Sequence, residues 1–203
     1  EPVTQQICLG YAFGDGRQTS CEVTVEAVEN LLGGQEIDQY LAMGLDGIST
    51  LNDLAGGVTV TLEDDFSAAD PAMTKGATLT LQGDQAEIFV RRRMDIGEGT
   101  NEARMVRQEE YLTQLSAQLE SRVQQDQQFT AQVYDALQPY LVTDLAKGRL
   151  VNEVWAAKDD TVEPAIALEG EHKVAEDGFT EFYPTEESIQ KAVLELFWEP
   201  AEE

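Results

Sequence analysis

The stretch VTVTLEDDF, residues 58–66, constrains the fold more than any other. Its apolar and threonine residues alternate with the period of two that a half-buried strand requires. Segments of helical character lie on both sides of it. Upstream, TSCEVTVEAVENLLGG (19–34) predicts a helix capped by Thr19 or Ser20 and stopped at Gly33-Gly34, with Val23, Val25, Val28, Leu31 and Leu32 as its apolar positions. EIDQYLAMGL (36–45) alternates enough for a strand, and GISTLNDLAGG (47–57) reads as a short helix ending in glycines. SAADPAMTKG (67–76) is loop.

Downstream, ATLTLQGDQAEIFVRRR (77–93) passes from strand through Gly83 into a short helix. Residues 101–141 are helical in pattern, with Met105, Tyr111, Leu112, Leu115 and Leu119 near one face and Pro139 close to the end. TDLAKGRLVNEVWAA (143–157) predicts a further helix capped by Thr143 or Asp144, VEPAIALEGEHK (162–173) a strand, and TEESIQKAVLELFW (185–198) a closing capped helix. Strands alternating with helices over 203 residues argue for a single α/β domain spanning 1–203.

Acidic residues number 39 against 13 Lys+Arg, a formal charge of -26. A field of that sign repels nucleic acid and anionic membrane, so neither is a general partner. The acids are dispersed, which suits a secreted domain kept soluble by charge. No run of about 18 apolar residues is present, and no basic segment followed by an apolar one opens the chain. Cys8 and Cys21 flank LGYAFGDGRQTS. With one histidine in the chain they fit no zinc pattern, and either a disulfide or two free buried thiols satisfies the spacing. His172 reads as a surface residue, and the short GDG at 14–16 reads as a turn.

Against this acidic background, FVRRRMDIGEGTNEARMVRQ (89–108) collects Arg91, Arg92, Arg93, Arg104 and Arg107. Arginine offers a planar fork of donors that meets phosphate oxygens two at a time. Arg104 and Arg107 are three apart on a predicted helix, Gln108 adds an amide, and the glycine-containing loop lets the two groups approach. Such a set suits a diphosphate. The plainer alternative is pairing with Asp95, Glu98, Glu102 and Glu109 on a solvated surface.

In order, GGVTV (56–60), LQGDQA (81–86), FVRRR (89–93), Arg104 and Arg107-Gln108 resemble the LytR–CpsA–Psr family of cell-envelope proteins. LGYAFGDG, TVEAVENLLG, LVTDLAKGRL and SIQKAVLELF extend the resemblance over nearly the whole chain. It implies a three-layer α/β/α sandwich with a mixed central sheet, here as the C-terminal portion of the domain and without the family's N-terminal strands. It implies an extracytoplasmic phosphotransferase at the cell envelope that moves an anionic glycopolymer of teichoic acid or capsule type. The donor is a polyprenyl-diphosphate carrier, the acceptor is peptidoglycan, and the membrane surface is reached through an N-terminal anchor. A non-catalytic binder of the same lipid-linked polymer and an envelope-related transcriptional attenuator are the alternatives.

Carried over by motif, Arg91, Arg93, Arg104, Arg107 and Gln108 become diphosphate ligands, with Arg104 and Arg107 the catalytic pair. Arg92 falls at a variable position. The family also implies Mg²⁺, but its R-D-[ST] motif is not in the chain, so the metal ligands are expected outside it and none is assigned here. The extracytoplasmic setting makes a Cys8–Cys21 disulfide the expectation.

Overall fold

A computed structural model describes residues 6–160, 165–175, 178 and 180–198, with Cys8 by its backbone only. The described chain divides into two compact units. One contains residues 41–141 and 145–160. The other contains the residues before 41, residues 142–144 and those from 161 onward.

The fold is α/β, with short strands between helices. In the larger unit, β1 (Leu41–Met43) leads into α1 (Asp46–Ala55), β2 (Thr59–Thr61), β3 (Thr78–Thr80), α2 (Asp84–Arg91), α3 (Asn101–Gln125), α4 (Phe129–Leu137) and α5 (Lys147–Ala156). β2 and β3 pair antiparallel, with Thr59 opposite Thr80 and Thr61 opposite Thr78. The alternation read at 58–66 places Val58, Val60 and Leu62 in the core. Thr59 and Thr61 face outward, their hydroxyls bonded at 2.8 Å to Thr80 and Thr78. The sheet component among the described residues is made of two-stranded sheets, not one continuous mixed sheet.

The core of this unit gathers Val58, Val60, Leu62, Phe66, Met73, Leu81, Ala86, Phe89, Ile96, Tyr111 and Leu115. The valine, leucine, isoleucine, phenylalanine and methionine side chains among them each contribute about 1.5–3 kcal/mol on full burial. Asn52, on α1, is completely buried among them and is fully used. Its amide nitrogen donates to the Leu81 carbonyl at 2.8 Å, and its Oδ1 accepts from the Val58 amide at 3.1 Å and the Tyr111 hydroxyl at 3.3 Å. α1 stops where the sequence says it should, at Gly56, whose φ of 104° is open to glycine.

The helical pattern over 101–141 is two helices, not one. α3 ends at Gln125, and Asp126 leaves the helix and accepts from the Gln128 amide at 2.8 Å before α4 starts. α3 is capped by the Thr100 hydroxyl, which accepts from the Ala103 amide. α5 begins only at Lys147, past the expected caps Thr143 and Asp144.

The smaller unit holds a 3-10 helix (Ile7–Phe13), α6 (Gln18–Leu31), the hairpin β5 (Gly170–Val174) with β6 (Thr180–Pro184), and α7 (Glu186–Phe197). A fourth short strand, β4 (Leu141–Thr143), lies where the division between units falls. In α6, Thr19 and Ser20 sit inside the helix instead of capping it, and the Ser20 hydroxyl accepts from the Gly16 amide, tying down the GDG turn. The strand expected at 162–173 starts only at Gly170; residues 161–164 lie outside the described residues. α7 is capped by Thr185 as read. His172 is exposed and rests against Phe182, ring centroids 5.0 Å apart.

The expected Cys8–Cys21 disulfide is not formed: Cys21 is a free, buried thiol in α6, while the Cys8 side chain lies outside the described residues. Burial pushes the Cys21 thiol up, and Asp15, Glu22 and Asp144 push it further. The thiolate that disulfide chemistry needs is therefore disfavoured at this position.

Candidate functional site

α2 carries the first arginines to its C-terminal end. Arg91 is its last residue, Arg92 turns into extended backbone (φ -70°, ψ 130°), and Arg93 follows. The next segment is not a loose tether. Ile96 is buried in the core, and Asp95, Gly97 and Gly99 all take left-handed φ values of 63°, 49° and 66°. The Ile96 amide donates to the Arg93 carbonyl, and Gly99 to Ile96. The segment is a pinned double turn that delivers α3 back against α2.

The return brings Arg104 to the same groove as the first three arginines. The groove encloses about 940 Å³ and is lined by Arg91, Arg92, Arg93 and Arg104, with Ile88, Met94, Ala68 and Ala69 as apolar wall and Asp84 and Glu87 as acids. Arg104 is oriented by Asn101, whose Oδ1 accepts from its Nη2 at 2.5 Å. Its Nε is buried and finds no partner among the described residues, a desolvated donor. Arg91 is bonded to Glu87 at 2.6 Å, one turn back on α2.

Arg107 and Gln108 point elsewhere. Arg107 is 8% exposed. Its Nε donates to the Phe89 carbonyl at 3.2 Å, its Nη2 to the Arg92 carbonyl, and its Nη1 lies 3.6 Å from Asp64 Oδ2. The guanidinium stands over the Phe66 ring, 5.2 Å from the centroid. Burial lowers its proton affinity, Asp64 opposes that, and the Arg104 charge adds to it. It remains a cation, since arginine does not deprotonate in proteins. The Gln108 amide donates to the Val90 carbonyl at 2.9 Å.

Of the five residues assigned from motif order, the structure thus groups Arg91, Arg93 and Arg104 around one groove. It places Arg107 and Gln108 behind it. Arg92, at a variable position of the family motif, lines the groove as well, and the signal for it is plain adjacency to Arg91 and Arg93 at a helix end. The acids that partner Arg91 and Arg107 are Glu87 and Asp64, not the sequence neighbours Asp95, Glu98, Glu102 and Glu109.

Mg²⁺ asks for several oxygen ligands in octahedral array. Among the described residues, no three His, Cys, Asp or Glu side chains converge on one point. Near the groove, Glu87 is engaged by Arg91, and Asp64 by Arg107. Asp70 accepts from Gln85 at 2.7 Å and the Ala72 amide at 2.8 Å, which together hold its carboxyl below the usual range. The side chains present do not fit this metal. Nor is any described helix long and apolar enough to cross a membrane.

Comparison with known proteins agrees with the fold. The structure resembles protein gbs0355 from Streptococcus agalactiae (TM-score 0.75, 20% identity, covering 95% of this chain and 66% of that one). It also resembles B. subtilis TagU (0.63, 19%, 97% and 77%) and TagT bound to LI-WTA (0.69, 19%, 95% and 70%). The chain therefore spans about two thirds to three quarters of these relatives. No curated protein matches by sequence. The LytR_cpsA_psr family matches over residues 2–196, nearly the full length, and the chain belongs to that family.

Proposed function

We propose that the chain binds a polyprenyl-diphosphate-linked anionic glycopolymer and takes part in its transfer to peptidoglycan on the extracytoplasmic face of the membrane. One observation carries this reading. Four arginines converge on a groove with an apolar wall in a protein whose net charge is -26. A diphosphate presents several oxygens and more charge than a single arginine balances, and a lipid tail asks for apolar surface beside it. Arg91, Arg93 and Arg104 are the diphosphate ligands, joined by Arg92. Arg104 stabilises charge on the departing phosphate. The family's role at the cell envelope and the likeness to TagT bound to LI-WTA support a glycopolymer of the teichoic acid class.

Mg²⁺, where the family's reaction uses it, would supply charge neutralisation between the phosphates, and the side chains described here do not offer its ligands. A second reading, a binder that holds lipid-linked polymer without turnover, is favoured by the same commitment of Glu87, Asp64 and Asp70 to protein partners. Mass spectrometry of lipid extracted from the purified chain tests both, with a prenyl diphosphate expected in the wild type and depleted in Arg104→Ala. Equal lipid content in Arg104→Ala and wild type counts against the groove. Conversion of the lipid-linked polymer to prenyl monophosphate, with the polymer's phosphoryl group passed to a peptidoglycan acceptor, then separates the transferase from the binder.

A further inference from the structure

The hairpin of β5 and β6 in the smaller unit sorts its side chains by kind. Strand alternation places Glu171, Lys173, Glu181 and Tyr183 on one face, where Glu171 lies opposite Tyr183 and Lys173 opposite Glu181. These groups engage one another. Lys173 Nζ lies 3.4 Å from Glu171 Oε2 and 5.0 Å from the Tyr183 ring centroid, and the Tyr183 hydroxyl donates to Glu181. The other face carries the pairs Gly170–Pro184, His172–Phe182 and Val174–Thr180. It bears no acid, in a chain with 39 of them. It is also open: Phe182 is 43% exposed and Val174 74%, and among the described residues no helix packs broadly on the hairpin. The Phe182 ring leans across the strand pair toward Gly170, where a Cβ would stand 2.8 Å from its Cζ, so glycine makes room for the ring. His172 stands beside it with planes tilted by 47°, and the two rings form a platform.

We propose that this face binds an uncharged sugar chain by stacking one ring on Phe182. Size, charge and chemistry select that occupant. Five residues on each of two strands make a face about 17 Å long and 10 Å wide, room for one or two sugar rings. A stable protein partner needs about 800 Å² on each side, several times that area. A net charge of -26 disfavours polyanions, and a face without acids gives a cationic peptide nothing to pair with. What remains is a neutral ligand with a flat apolar side and a polar edge. A pyranose with equatorial hydroxyls has that form, and its weakly positive C–H groups meet the negative face of the phenylalanine ring. The His172 imidazole and the Thr180 hydroxyl, on the same face, suit the hydroxyls at its edge. The hairpin and the arginine groove belong to different units, so the sugar site does not depend on the diphosphate reading.

The test is a titration of the full 203-residue chain with chitotriose, an uncharged β-linked trisaccharide, followed by backbone amide resonances and by saturation transfer to the sugar protons. Amides of residues 170–174 and 180–184 are expected to shift, with saturation strongest on the ring C–H protons. Phe182→Trp, which keeps an aromatic face, retains or tightens binding. Phe182→Leu, which keeps apolar bulk without the ring, weakens it about 3- to 10-fold, the scale of one lost aromatic contact. Tyr183→Leu, on the opposite face, and Arg104→Ala, in the groove, leave it unchanged. Equal losses in Phe182→Leu and Tyr183→Leu overturn the proposal, because binding would then not distinguish the two faces. The absence of any hairpin shift up to about 20 mM chitotriose overturns it as well. So does movement of the same resonances with protein concentration alone, which would make the face a contact between copies of this chain.

Discussion

Glu87 and Arg91 form an ion pair of 2.6 Å at the rim of the groove, one helical turn apart on α2. The pair places a resident carboxylate on an arginine that an incoming anion would need. Both groups are partly exposed, so the contact is worth about 0.2–1 kcal/mol.

Glu87→Gln is therefore expected to tighten pyrophosphate binding by about 1.5- to 5-fold, the free energy of such a pair expressed as affinity. Isothermal titration at low and moderate salt checks this, and the gain shrinks as salt rises. Weaker binding in the variant would show that Glu87 orients Arg91 for the ligand instead of competing with it.

Gly97 takes a left-handed φ of 49°, and a Cβ built there would stand 2.4 Å from Asp64 Oδ1. Gly97→Ala is expected to cost about 1–3 kcal/mol, combining left-handed backbone strain with displacement of the Asp64 carboxylate from Arg107. Urea unfolding measures it. Gly76→Ala, at φ 82° with nothing within 4 Å, isolates the backbone part and should cost less.

Tyr111 is buried in the core with its hydroxyl on Asn52, and burial, with a smaller push from Asp53, raises its pKa to about 12. The folded value lies above the unfolded one, so the neutral phenol contributes stability that is complete below pH 10 and lost as pH rises toward 12. About 2–3 kcal/mol should disappear over that window. Tyr111→Phe is expected to lower stability at pH 8 but to flatten its fall above pH 10, as followed by denaturant midpoints across the range.

Cys21 should be slow to react. In a Cys8→Ser background, native protein is expected to label with an alkylating reagent at pH 8 at least about tenfold more slowly than after unfolding, since burial and three neighbouring acids oppose its thiolate. A native rate equal to the unfolded one would show that the thiol is solvated.

The sequence discloses local rules well and tertiary ones poorly. The inward set Val58, Val60 and Leu62 followed from period-two alternation, and the Thr185 cap from the capping preference of hydroxyls at helix starts. The break at Asp126 was hidden because the glutamines on both sides of it favour helix, while an aspartate bonding the backbone two residues on ends it. β6 escaped because TEFYP is five residues long and is fixed by pairing with β5. At the site, clustering of the arginines was legible from their order, but the role of each was not. Three-residue spacing says that Arg104 and Arg107 are neighbours on a helix. Only the location of Phe66 and the end of α2 decides that one faces the groove and the other the scaffold.

The single buried amide of Asn52 joins α1 to the Leu81 carbonyl after β3, the Val58 amide before β2, and Tyr111 on α3. Segments separated by up to 59 positions in sequence thus share one donor–acceptor node. None of them can detach without stranding a polar group in the core, so local opening there costs nearly as much as opening the whole unit. In hydrogen exchange, the amides of Val58 and Leu81 should be among the last to exchange and should do so together. The wall behind the groove would then behave as one cooperative block, with the motion that admits and releases a ligand confined to the arginine rim.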